Sequence, residues 1–163
     1  MDERRLTICS HSSERSLRKI IPHQPGAGPE VASSSSNVEV VSQAGLEERI
    51  REICMDLPGV TEKLSHGAPG FFAGRQFLTL WIDGHHDHGF PHLWCAAPPG
   101  AQAELVTTEP IRFFRPPYVG GRGWLGVRLD GRLDWQEIEA LCEEAFRTVA
   151  SKKLIASLDL RKG

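Results

Sequence analysis

The densest concentration of reactive side chains in this sequence is HHDHGFPH, His85 to His92, with four imidazoles and one carboxylate in eight residues. Imidazoles and carboxylates are the usual ligands of divalent ions. Adjacent ligands on a turn point in different directions, however, and Gly84 and Gly89 mark the stretch as a loop between strands. It is expected to be a solvated hairpin tip that captures metal adventitiously if at all, so no metal site and no cofactor are expected. His66, in LSHGAPGFF, stands at a strand entry, where an imidazole either packs or edges a cleft. No G-x-S-x-G elbow and no Ser/His/Asp set is present. Cys95 lies in an apolar run where a buried thiol is inert. Cys9, Cys54, Cys95 and Cys142 are scattered singly without a C-x-x-C pair, which argues against a disulfide framework or a zinc site.

The second concentration is RFFRPPYVGGRGWLGVRLDG, Arg112 to Gly131. Its glycines run into Trp124-Leu125-Gly126-Val127, a strand pattern, whereas a phosphate loop leads into a helix. Between Ile111 and Leu133 five arginines (112, 115, 122, 128 and 132) accompany the single acid Asp130. From Leu46 to Pro110 only four basic side chains accompany nine acids. Positive charge is therefore segregated, and Lys152-Lys153 extends it. Arginines beside Tyr118 and Trp124 suit phosphate contact and base stacking. The competing reading puts Phe113, Phe114 and Trp124 in the core, with arginines coating the outer strand face. Strand alternation also keeps Arg112 and Arg115 off a common face.

Several elements must position these groups. In LEERIREICMDLPG, Leu46, Ile50, Ile53, Cys54 and Leu57 form a helical stripe that Pro58-Gly59 ends. GFFAGRQFLTLWID reads as a hairpin turning at Ala73-Gly74-Arg75, and His92–Ala96 as a third strand. PPGAQAELVTTEP suggests a short helix, and Ile111–Phe114 and Trp124–Leu129 two more strands. Asp134 caps a last helix, with Glu137 placed for a capping box and Trp135, Ile138, Leu141, Cys142, Ala145 and Val149 as its apolar stripe. Helices bracketing hairpin-linked strands predict an α+β domain, an antiparallel sheet packed against N- and C-terminal helices.

The chain has 163 residues and a net charge of −2, enough for one domain and without a global pull toward nucleic acid or anionic lipid. Residues 1–44, rich in Gly, Pro and Ser, read as a disordered tail ahead of a domain at 45–163. No apolar stretch is long enough to span a bilayer and the N-terminus lacks a secretory h-region, so a cytoplasmic location is expected, with no membrane partner.

PGVTEKLSHGAPGFFAGRQFLTLW, HLWCAAPPGAQAEL, RFFRPPYVGGRGWLGVRLDG and LDWQEIEALCEEAFRTVASKKL resemble, in order, the pattern of the MmcQ/YjbR-like proteins, over about Leu46 to Leu158. The resemblance implies a CyaY-like (frataxin-like) two-layer sandwich and a DNA-binding role; no catalytic activity is expected. The residues it brings forward are His66, Pro116-Pro117-Tyr118, Gly123-Trp124 and Lys152 or Lys153. Arg49 and Arg51 interrupt Glu47, Glu48 and Glu52 on the first helix, unlike the acidic ridge with which frataxin-like relatives handle iron. The leading expectation is DNA contact through Arg112, Arg115, Tyr118, Arg122, Trp124, Arg128, Lys152 and Lys153. The alternative is a small-molecule or protein-interaction domain with a pocket near His66 and Trp124.

Overall fold

The computed structural model describes residues 42–163. Most of the expected tail, and Cys9, lie outside the described residues. Helix α1 (Gln43–Asp56) carries the expected stripe from Leu46 and is capped by Ser42, whose hydroxyl accepts from the Gly45 N–H at 3.2 Å. Strands β1 (Thr61–Ser65), β2 (Ala68–Ala73), β3 (Arg75–Trp81), β4 (His92–Cys95), β5 (Phe113–Phe114) and β6 (Leu125–Arg128) form one antiparallel sheet in the order β1-β2-β3-β4-β6-β5. Helix α2 (Ala101–Thr108) precedes β5, and α3 (Trp135–Val149) and α4 (Lys152–Lys162) close the chain. The fold is α+β. No helix among the described residues is long and apolar enough to cross a membrane.

Two rows of the sheet build the core. Leu80, Leu93, Val127 and Phe113 lie side by side across β3, β4, β6 and β5, as do Leu78, Cys95 and Leu125 one step along. Against them α3 sets Ile138, Leu141, Cys142, Ala145 and Phe146, at the i, i+3, i+4 spacing of one helix face, and α1 adds Leu46, Ile50 and Cys54. Each large side chain buried here contributes about 1.5–3 kcal/mol of transfer free energy. Cys54, Cys95 and Cys142 are free and buried within this core. A sulfur hydrogen bond with Cys142, then burial, pushes the Cys54 thiol well above the ordinary thiol range, and burial does the same for Cys95.

The β2–β3 pairing contains a bulge. Phe71 pairs with Leu78 and Phe72 with Gln76, so Phe77 has no opposite number. Phe77 and Leu78 therefore both enter the core, and Phe77 meets Phe146 edge to face at 6.0 Å. Gln76 is turned to the opposite face, where its amide donates to the Thr79 hydroxyl at 2.8 Å.

Two elements were not anticipated. β1, TEKLS, is an edge strand in which no residue is buried and Thr61, Lys63 and Leu64 are exposed, so it carries no apolar alternation. In α4 only Leu158 is buried. Its attachments are mostly ionic: Arg147 to Asp159 at 2.5 Å, Arg161 to Asp56 at 3.0 Å, and Lys162 to Glu143. The expected capping box is half formed. Asp134 accepts from the Gln136 N–H at 3.0 Å, whereas the Glu137 carboxylate leaves the helix end and takes the Arg112 guanidinium at 2.7 Å.

Candidate ligand-binding site

The face of the sheet turned away from α1 and α3 carries its own row: Thr79, Trp94, Gly126 and Phe114 in register, with Trp81, His92 and Arg128 beside them. A cavity of about 800 Å³ opens over part of this face. Gln76, Thr79, Trp81 and Trp94 come from the strands. Ser65 ends β1, Arg75 opens β3 and His66 sits in the β1–β2 turn, while His85 and His86 come from the β3–β4 loop, Tyr118, Val119, Arg122 and Trp124 from the β5–β6 connection, and Thr148 and Val149 from the end of α3.

The loops are held by specific contacts. Gln102 of α2 donates to the carbonyls of Gly120 (2.8 Å) and Trp124, fixing the 3-10 turn Gly120–Arg122 and the Trp124 backbone that follows it. The Arg115 stem lies across Gly120, where a Cβ would come within 2.6 Å of it. His85 and His88 exchange backbone hydrogen bonds at 2.9 and 3.2 Å, closing the β3–β4 loop on itself.

The expected solvated tip holds for His86, Asp87 and Gly89, which are exposed, but the other rings of the loop pack on the sheet. The His85 ring lies 3.6 Å from Trp81 and stacks on His86 at 3.8 Å, while His88 packs against Phe114 and Phe90. His92 is wholly buried, with Nδ1 2.8 Å from the Phe90 carbonyl and Nε2 without a partner among the described residues. Burial, then the neighbouring His86, His66 and His88, holds the His85 pKa below the usual imidazole value. Among the described residues no group of three His, Cys, Asp or Glu side chains converges to hold a metal ion.

Backbone strain concentrates at the same place. His66, His86 and Tyr118, with φ of 54°, 53° and 62°, are the non-glycine residues in the left-handed region among those described, and all three line the cavity. Histidine tolerates this region better than most side chains, but a bulky tyrosine there is an outlier. Such strain persists where surrounding structure enforces it, and functional sites are where it clusters.

The cavity's charge is one-sided. Arg75 and Arg122 line it with three imidazoles, and no lining residue among those described is a carboxylate. Ser65 Oγ and His66 Nδ1 stand 3.2 Å apart, the separation of a nucleophile and its base, and among the described residues no carboxylate lines the cavity to orient the imidazole.

A family model named YjbR matches residues 55–148. The chain belongs to the YjbR family. The matched segment contains every cavity-lining residue of this YjbR domain except Val149. Among solved structures the domain is similar to protein DR2400 of Deinococcus radiodurans, a DUF419-domain protein. The identity is 18% and the TM-score 0.54, over 69% of this chain and 87% of that one. At that identity the likeness speaks to fold alone. No curated protein matches the chain.

The residues singled out in the sequence separate into three groups. His66, Tyr118, Arg122 and Trp124 line the cavity together. Arg112 and Arg128 are engaged elsewhere: Arg112 by Glu137, and Arg128 by both oxygens of Asp130 at 3.0 and 2.6 Å while its guanidinium covers the Phe90 ring at 4.0 Å. Arg115 is exposed beside Gly120, and Lys152 and Lys153 are exposed in the first turn of α4, outside both the cavity lining and the matched segment. Arg75, Gln76, Thr79, Trp81, His85, His86 and Trp94 were missed as site residues. The available signal was aromatic, since three of the four tryptophans and the only tyrosine of the chain line this cavity.

Proposed function

We propose that this YjbR protein is a binding protein whose cavity takes an anionic ligand. The carrying observation is the lining itself: two arginines and three histidines with no carboxylate among them, in a chain whose net charge is −2. Concave walls, a few convergent polar groups and a volume of about 800 Å³ match small-molecule sites, which run to about 300–1,000 Å³. Titration calorimetry with inorganic pyrophosphate tests the reading. The protein binds it, and Arg75→Gln plus Arg122→Gln weakens binding by about tenfold or more, as loss of charge-assisted contacts requires. Undiminished affinity in that double variant refutes the assignment.

DNA contact is the second reading, and the exposed cluster of Arg115, Arg122 and Tyr118 on one connection favours it. The engagement of Arg112 and Arg128 by carboxylates leaves it a narrower footprint than the arginine-rich sequence implies. A duplex gel shift that fades with salt and with Arg115→Glu plus Arg122→Glu supports it. A shift that survives that double variant counts against it.

A further inference from the structure

A bare inorganic anion has no use for the aromatic walls of this cavity. Trp81, Trp94, Trp124 and Tyr118 all line it. Flat rings already stack there: Trp94 and His85 lie within 15° of parallel, His85 and His86 within 16°. Both Trp81 and Trp94 are more than nine-tenths buried, at 9% and 6% exposure, and among the described residues neither indole N–H has an acceptor. A ring nitrogen or carbonyl brought in from the cavity is the kind of partner they lack. Arg75 and Arg122 supply permanent positive charge in the same space.

We infer that the cavity binds one nucleotide unit, with a heteroaromatic base among the indoles and its phosphate at Arg75 and Arg122. This rests on the anion-binding reading above and narrows it. Base–aromatic stacking tolerates any base and adds to the phosphate contact, so the unit outbinds the same phosphate without a base. It arrives either as a free nucleotide or as an unpaired residue of a single strand.

Tryptophan fluorescence of the full chain reads this directly, because three of its four indoles line the cavity. Titrations with AMP, ribose 5-phosphate and the single-stranded pentamer of deoxyadenylate are compared. AMP or the pentamer quenches, and ribose 5-phosphate binds roughly tenfold more weakly. Binding by the pentamer alone assigns the unit to a strand, and binding by AMP alone assigns it to a free nucleotide. Tyr118→Asn, which keeps a residue tolerant of the left-handed conformation, weakens AMP binding and leaves ribose 5-phosphate unchanged. Equal affinity for AMP and ribose 5-phosphate overturns the nucleotide inference and leaves the anion reading standing. Failure of every phosphate to bind overturns both.

Discussion

Arg112 donates to the Glu137 carboxylate across 2.7 Å and thereby ties the start of β5 to the first turn of α3. The Glu137 side chain is 7% exposed and that of Arg112 29%, so the pair is largely shielded from solvent. Removing one partner strands the other. Arg112→Ala is expected to lower stability by about 3 kcal/mol, because a buried carboxylate loses its counter-charge. Urea unfolding checks this, with a shifted midpoint at constant slope. Adding Glu137→Leu to Arg112→Ala recovers most of the loss. A single variant as stable as the wild type shows that the pair carries no structural burden.

The Phe114 ring lies directly on Gly126, where a Cβ would collide with it. Gly126→Ala therefore costs about 1–3 kcal/mol by overpacking. In a Phe114→Ala background the same change turns neutral or stabilising, because alanine is the better strand residue once the ring is gone. A double-mutant cycle measures that reversal of sign. Additive effects of the two substitutions exclude the contact as the reason for glycine here.

How much of this could be seen in the residues varies with the physical signal. The α3 stripe and its Asp134 cap were legible because helical spacing and a capping side chain are local. The strands with apolar runs were legible, but β1 was not, since an exposed edge strand needs no apolar face. The α4 helix was hidden for a similar reason: its ionic attachments run to residues as distant as Asp56. In the site, His66 and Trp124 were named together as edges of a pocket. Gln76 and Thr79 were beyond reach, because only the extra residue Phe77 brings them to one face, and alternation cannot place a bulge. The Arg128–Asp130 pair sits two residues apart and was open to inspection, whereas Arg112–Glu137 spans 25 residues and was not.

Tyr118 holds φ at 62° on the rim of the cavity and is 79% exposed, so little packing repays its conformation. A left-handed L-residue costs roughly 1–2 kcal/mol, against about 0.5–1 kcal/mol for the extra chain entropy of glycine. Tyr118→Gly is therefore expected to leave the melting temperature unchanged or higher while ligand binding weakens, the exchange of stability for function found at strained sites. Thermal melts and the AMP titration read the two halves separately. A variant that melts well below the wild type shows that the tyrosine is structural.

Protons should move stability and binding in opposite directions. His85 is held below the usual imidazole pKa first by burial and then by His86, His66 and His88. His92 is held below it first by burial, against the Phe90 carbonyl, which favours the charged form, and further by His88 and His85. Both histidines bind fewer protons folded than unfolded, so their contribution is fully present above the unfolded value of about 6.5 and is lost as pH falls through the folded values. The unliganded protein therefore melts lower at pH 5.5 than at pH 8, ahead of the acid loss of the Arg147–Asp159 and Arg128–Asp130 pairs, whose carboxylates titrate below the usual range. An anion favours the protonated imidazoles and binds more tightly at the lower pH. Sulfate, which does not titrate in this window, separates the two effects. Its stabilising shift is larger at pH 5.5 than at pH 8, and His85→Gln reduces the difference. A sulfate shift equal at both pH values refutes the coupling of the histidines to the anion site.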